Sequence, residues 1–224
     1  MRLSLDTTSD LQTVALGEPG RLLALSMDRI HTSHTETLIG HIDSVLRRHR
    51  LSGQDLSGIA VVTGPGSFTG IRIGLATALG LADSWDKPMT GRNALELLAL
   101  HPAAGPGRIC PVLHARREQI FFAVFHRGAS GLELLEDYRE TTATELPGSL
   151  APYPGTVIIG PGVPVLRARW PDLAGTFHLV DGPDLLPAAV LAVQEHPVPG
   201  PGLPVEAFYI RPPDVRTPKH TREK

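Results

Sequence analysis

Along the first 27 residues apolar positions fall in three short runs. "RLSLDTT", "LQTVALG" and "RLLALSM" are separated by the turn-like "SD" and "EPG", which predicts an antiparallel meander. The spacing then becomes helical. Leu38, Ile39, Ile42, Val45, Leu46 and His49 share one stripe, and His41, Asp43, Arg47 and Arg48 face away. Ser33 and Glu36 have capping-box spacing at the start of this helix, and "LSG" at 51–53 supplies its stop. "GIAVVT" at 58–63 is short, β-branched and uninterrupted, the pattern of a strand covered on both faces. A glycine-rich loop, "TGPGSFTGIRIG", leads into a second helix, "TGIRIGLATALGLADSW". Residues 87–91 and "NALELLALH" add one strand and one helix.

The second helix is apolar nearly all round. Ile71, Leu75, Ala78 and Ala82 cover one side, and Ile73, Ala76 and Gly80 the opposite one, and between Ile71 and Asp83 only Arg72, Thr77 and Asp83 are polar. Such a helix is buried on most of its circumference. Gly70, Gly74 and Ala78 recur every fourth position, a row that lets another helix approach closely. The second cover is either a partner chain or another layer of this one.

After "HPAAGPGR" the pattern starts again. "RICPVLH", "QIFFAVFH" and "LELLEDYRE" read as three more strands. A weak helical stretch near Thr144, the strand "TVIIG", a short helix around Val165, the strand "FHLV" and the helix "DLLPAAVLAVQEH" follow. Only the order of elements repeats, not the letters. The expectation is an α/β fold of duplicated, actin-like (ribonuclease H-like) type, with two lobes that each open on a three-stranded β-meander. Residues 1–105 form the first lobe, 106–210 a second, degenerate lobe, and 211–224 a polar, Pro-rich flexible tail.

Composition narrows the picture. In 224 residues, 42% are hydrophobic and 20% charged, and the net charge is −2, so no global basic field draws the chain to nucleic acid or membrane. Cys110 is the only cysteine, in a predicted core strand. It excludes an internal disulfide and a cysteine-based zinc site. Asp6 interrupts the apolar start too early for a signal peptide, and no run has the ~20 apolar residues of a membrane span. A cytoplasmic protein is expected.

A strand, a glycine loop and a helix N-terminus are the ingredients of an anion site. The details fit known phosphate motifs poorly. No lysine lies between Met1 and Asp86, so there is no Walker loop, and Gly64, Gly66 and Gly70 give G-x-G-x-x-x-G instead of the dinucleotide fingerprint. Pro65 also removes one backbone donor. A tight strand-to-helix turn, with Ser67 or Thr69 as N-cap, competes with the phosphate reading. His31, His34 and His41 match no metal motif, and capping at a helix start is the simpler role for His34–Glu36. Ser67 is not in G-x-S-x-G, and no catalytic set emerges. Candidate phosphate contacts for RNA are Arg47–Arg50, Arg116, Arg117 and the tail from Arg211, all more simply solvated surface.

At these residues the chain resembles a known family. "LSLDTTSDLQTVAL", "HTETLIGHIDSVL" and above all the ungapped "GPGSFTGIRIG" resemble the TsaB (YeaZ) family. The likeness covers nearly all of the first lobe and thins to "PVLHARREQIFFAVF" and "EAFYIR" in the second. It implies a non-catalytic subunit in the synthesis of threonylcarbamoyladenosine in tRNA, beside the anticodon. The implied partners are a metal-bearing catalytic subunit, TsaD, and a small ATPase, TsaE, with tRNA met through the complex and ATP and metal on the partners only. By the same analogy the interface consists of Leu38, Ile42, Val45, Ile71, Gly74, Leu75 and Ala78. Asp6, Thr7, Gly64, Gly66, Ser67 and Gly70 would be vestigial phosphate-type loops. His114 stands where the family has an acid, which weakens a case for ATP hydrolysis. Asp6 is then a turn residue capping local N–H groups. The rival readings are an actin-like ATPase or small-molecule kinase using Asp6 and the 64–70 loop, and a homodimer formed through the same helices when the chain is alone.

Overall fold

The computed structural model describes residues 1–30, 34–182, 185–194 and 205–210. Ser33, His31, the 195–204 segment and the 211–224 tail, with their capping, metal and RNA expectations, lie outside the described residues, as does the side chain of His34.

The expected elements form in the expected order. β1 (Arg2–Asp6), β2 (Leu11–Glu18) and β3 (Arg21–Arg29) make the first meander, followed by α1 (His34–Arg48), β4 (Gly58–Val62), α2 (Phe68–Trp85), β5 (Met89–Arg92) and α3 (Ala94–Leu100). The second set is β6 (Gly107–His114), β7 (Gln119–Gly128), β8 (Gly131–Thr142), α4 (Leu146–Ser149), β9 (Val157–Ile159), α5 (Val163–Arg169), β10 (His178–Val180) and α6 (Pro187–Val193). The strand orders are β3-β2-β1-β4-β5 and β10-β9-β6-β7-β8. In both sheets the meander pairs antiparallel and the remaining two strands add in parallel. The duplication that the element order suggested is therefore present in the hydrogen bonding.

The continuous apolar run of β4 reflects two covered faces. Ile59 and Val61 join the core under α1 and α2, with Leu3, Leu5, Val14, Leu16, Leu38, Ile42, Val45, Leu46, Ala78 and Ala82. Ala60 and Val62 point the other way, toward Ala94 and Leu97 of α3 and Val190 and Leu191 of α6. At ~25 cal/mol per Å² of apolar surface, full burial of each such Leu, Ile or Val side chain stabilises the fold by about 1.5–3 kcal/mol.

One element departs from the expected lobes. α6 lies in sequence beyond β10 yet packs on the first sheet. Ala188 and Ala192 meet Ala15, and the Gly20 N–H donates to Val193 O at 2.8 Å. Arg2 Nη1 donates to the carbonyls of Leu191 and Gln194. Gly17 is needed there, because a Cβ would lie 2.8 Å from Ala192 O.

Candidate functional site

The glycine loop is occupied by the chain itself. β1 ends in Asp6, whose Oδ1 accepts from the N–H (2.8 Å) and Oγ1 (2.7 Å) of Thr8, so its carboxylate closes a local turn. That turn presses Thr7 and Thr8 into the loop between β4 and α2. Ser67 N–H donates to Thr8 O at 2.6 Å, and Thr7 Oγ1 donates to Gly70 O at 2.7 Å. A Cβ at Gly66 would overlap Thr8 O, one at Gly70 the Thr7 carbonyl, and one at Gly74 the Thr7 hydroxyl. The recurring small residues at 66, 70 and 74 thus admit the first hairpin rather than a second helix. Ser67 Oγ accepts from Gly70 N and caps α2, so its hydroxyl is also committed.

A second segment closes the same loop. Gly64 has φ +118°, and the place a Cβ would take is filled by Phe208 O. Phe208 N–H donates to Thr63 O at 2.8 Å. The Phe208 ring meets Tyr138 of β8 edge-on at 4.8 Å, and Tyr209 lies 4.7 Å from Phe68, whose ring also carries the Arg72 guanidinium at 3.8 Å. Tyr138 O–H donates to Glu96 Oε1 at 2.6 Å, and burial together with that carboxylate holds the phenol well above its ordinary range. Burial likewise pushes the Cys110 thiol far up, so this core residue is no nucleophile.

His41 was placed on the outer side of α1 but points into the sheet. Gln12 Nε2 donates to His41 Nδ1 at 3.1 Å, and Nε2–H donates to Ser26 Oγ. Thr37 Oγ1 donates to Gln12 Oε1 at 3.2 Å and fixes the amide the same way round. Burial lowers the His41 pKa, with Asp28 opposing and Arg48 adding to the shift. Among the described residues no cluster of three His, Cys, Asp or Glu side chains could hold a metal, and no helix is long and apolar enough to cross a membrane.

The outward surface of α1 and α2 has a different chemistry. α1 and α2 pack on the same sheet face and touch each other. Away from the sheet they expose Ile39 (55%) and Leu79 (54%), with the small residues Gly40, Ala76 and Gly80 exposed beside them. A Cβ at Gly40 or Gly80 would meet nothing within 4 Å.

The comparisons decide the family. A model described as TsaD, tRNA N6-adenosine threonylcarbamoyltransferase, matches residues 28–154. The tRNA threonylcarbamoyladenosine biosynthesis protein TsaB of Escherichia coli K12 is 31% identical over 84% of this chain and 81% of its own. The chain belongs to the TsaB family. YeaZ from Pseudomonas aeruginosa superposes with a TM-score of 0.63 at 24% identity, covering 85% of this chain and 87% of that one. Component A of (R)-2-hydroxyglutaryl-CoA dehydratase from Acidaminococcus fermentans shares the fold alone, with a TM-score of 0.55 at 11% identity over 86% of this chain and 96% of that one. The fold is the duplicated, actin-like one.

Against this TsaB frame the expected interface needs correction. Leu38, Ile42, Val45, Ile71, Gly74 and Ala78 are buried in the chain's own core, and Leu75 is half-buried against it. They have no surface to offer, because the stripe that is most apolar in sequence is the one the sheet claims. Ile39, counted with that stripe, is exposed instead, and His49 lies beyond the end of α1 and is exposed. The helical wheel did signal a second apolar side of α2 through Ile73, Ala76 and Gly80; Ala76 and Gly80 are exposed, Ile73 packs against the core, and the wheel missed Leu79. His114, where TsaB relatives were expected to carry an acid, donates from Nε2 to Arg117 O at 2.8 Å and closes the β6–β7 turn. Arg47, Arg48, Arg50, Arg116 and Arg117 are all exposed.

Proposed function

We propose that this chain is the non-catalytic subunit that binds and supports a TsaD-type threonylcarbamoyltransferase in the synthesis of threonylcarbamoyladenosine in tRNA. The interface is the outer face of α1 and α2. The observation that carries the reading is the pair of half-exposed large side chains, Ile39 and Leu79, set among Gly40, Ala76 and Gly80 on two adjacent helices. Small residues let a facing helix come close, and the large ones then fill its grooves. Covering the exposed half of Ile39 and of Leu79 contributes roughly 1 kcal/mol each. The match of a TsaD-described model to the segment that contains both helices supports a partner built on the same plan. In this reading ATP and metal belong to the partner subunits, and a TsaE-type ATPase and tRNA join through the complex.

The ATPase or kinase alternative loses its ground at the loop. Asp6 is engaged by Thr8, and the glycines are packed against Thr7, Thr8 and Phe208. The test is co-elution with the TsaD-type chain and the content of threonylcarbamoyladenosine in tRNA. Ile39→Glu with Leu79→Glu is expected to abolish co-elution while the melting temperature of the free chain stays within a few degrees. Undiminished binding and modification in that double variant would reject the interface.

A further inference from the structure

Ile39 and Leu79 are the apolar part of the outward face of α1 and α2, and the same face carries charge. On α2, Phe68, Arg72, Ala76, Leu79 and Asp83 follow one another in steps of three and four residues. They form one outward row, half-buried at Phe68 and exposed beyond it. Arg72 and Asp83 lie about 16 Å apart along the helix, at about 1.5 Å per residue. Neither side chain has a hydrogen-bond or ion-pair partner among the described residues. The charges on α1 differ, because Asp43 and Arg47, one and two turns beyond Ile39, pair with each other at 2.9 Å.

Arg72 is held in place but its donors are not used. Its guanidinium lies 3.8 Å from the centre of the Phe68 ring one turn earlier, and Tyr209 lies 4.7 Å from the same ring. Tyr209 follows Phe208, which is fixed by its N–H to Thr63 O and by the Tyr138 ring, so Phe68 is supported from the second lobe. A guanidinium lying over an aromatic ring keeps its N–H donors free for an acceptor. Being confined already, it loses less entropy when it binds, and its planar fork matches the two oxygens of one carboxylate. Asp83 is the opposite pole of the row. It stands in the last turn of α2, where the helix macrodipole disfavours a negative charge, and α2 has no basic residue in that turn to offset it.

We propose that Arg72 is the polar anchor of this face and binds a side-chain carboxylate of the TsaD-type subunit through its fork, while Asp83 takes a cation of the same subunit three turns further along. Phe68 is the positioning residue for Arg72. The inference rests on the partnership proposed above and adds the direction of docking, with an acid of the partner at the start of α2 and a base at its end. A protein carboxylate is favoured over a tRNA phosphate for two reasons. The guanidinium shares one row with the exposed Leu79, two turns away, and that row ends in an unpaired anion, which repels a nucleic acid strand laid along it.

Biolayer interferometry of the full chain against the TsaD-type subunit tests this, with Ile39→Glu plus Leu79→Glu as the variant expected to abolish binding. Arg72→Gln is expected to weaken the complex by about tenfold or more and to flatten its salt dependence, at an unchanged melting temperature of the free chain. Phe68→Leu is expected to weaken it by roughly a few-fold and Phe68→Tyr hardly at all. In an Arg72→Gln background Phe68→Leu is expected to have no further effect, since Phe68 acts through Arg72. In the complex of the Arg72→Lys variant, a zero-length carbodiimide is expected to join position 72 to an Asp or Glu of the partner, located by mass spectrometry. Wild-type affinity and salt dependence in Arg72→Gln, with binding still abolished by the Ile39 and Leu79 changes, would overturn the anchor and leave the partnership standing. So would an Arg72→Lys complex that forms but gives no such cross-link. Undiminished binding in both variants, or no binding by the wild type, would remove the interface and the anchor with it. Weaker tRNA binding by an Arg72→Gln complex of normal subunit affinity would overturn the carboxylate and assign the guanidinium to a phosphate.

Discussion

His41 sits where three hydroxyl- or amide-bearing side chains, Gln12, Ser26 and Thr37, meet beneath α1. Its ring is neutral there, accepting at Nδ1, and protonation would set a second N–H against the Gln12 amide. Because the folded pKa lies below the ordinary value of about 6.5, the unfolded chain takes up the proton first as pH falls. The stability from His41 is fully present above about pH 6.5 and is lost as pH drops through that value toward the lower folded one. Melting temperatures between pH 7.5 and 5 are expected to fall more steeply for the wild type than for His41→Gln; parallel curves would refute the network. Gly70 makes a steric prediction at the same scale. A methyl group there meets the Thr7 carbonyl, a backbone atom that cannot rotate away. Gly70→Ala is expected to cost about 1–3 kcal/mol, the usual range for forcing extra volume into a packed site, read as a lower urea midpoint at unchanged slope.

At the scale of elements, α2 separates two uses of small residues that look alike in sequence. Gly70 and Gly74 are small because the first hairpin needs the space, whereas Gly80 faces open space. Alanine at Gly80 removes only the helix penalty of glycine, so Gly80→Ala is expected to stabilise the free chain by roughly 0.5–1 kcal/mol. On the proposed interface the same methyl group separates the helices, so affinity for the TsaD-type partner is expected to fall while the melting temperature rises. A rise in both would remove Gly80 from the contact. This contrast shows what the sequence made legible. Element order and type were readable, since a helix with one wet side repeats with period 3.6 and a strand covered on both faces, such as β4, reads as a short uninterrupted apolar run. The site was half readable. "GPGSFTGIRIG" marked the loop, but a glycine that receives Thr7 and one that receives solvent are the same letter. The wheel gave α2 two apolar sides without saying which one the sheet would take. His41 was misplaced because a polar pocket under α1 requires Gln12 and Ser26, which lie on other strands.

For the whole molecule, the two sheets are tied by segments distant in sequence from the first lobe. α6 returns to cover β1, β2 and β4, which no local pattern indicates, since an apolar helix fits either sheet. The segment 205–210 makes the second tie. Val205 packs with the core under α1 and α2, Phe208 bridges Thr63 of the first lobe and Tyr138 of the second, Tyr209 stacks on Phe68, and Ile210 joins the core around Leu95 and Ile109. Phe208 is half-buried, so its truncation forfeits about half of the 3–5 kcal/mol typical of a fully buried Phe→Ala change, roughly 2 kcal/mol. The loss should not be uniform. The Phe208 N–H to Thr63 bond and the edge-on contact with Tyr138 hold the start of α2 against the second lobe, whereas Gln12 and Ser26 belong to β2 and β3, at the other end of the strand order from β5. In Phe208→Ala, hydrogen exchange is expected to quicken from Thr63 to Phe68 and around Tyr138, and to stay unchanged at Gln12 and Ser26. Uniform acceleration would mean a global loss of stability without any special role in joining the lobes, and unchanged exchange at Thr63–Phe68 would mean that the second lobe does not hold the loop at all.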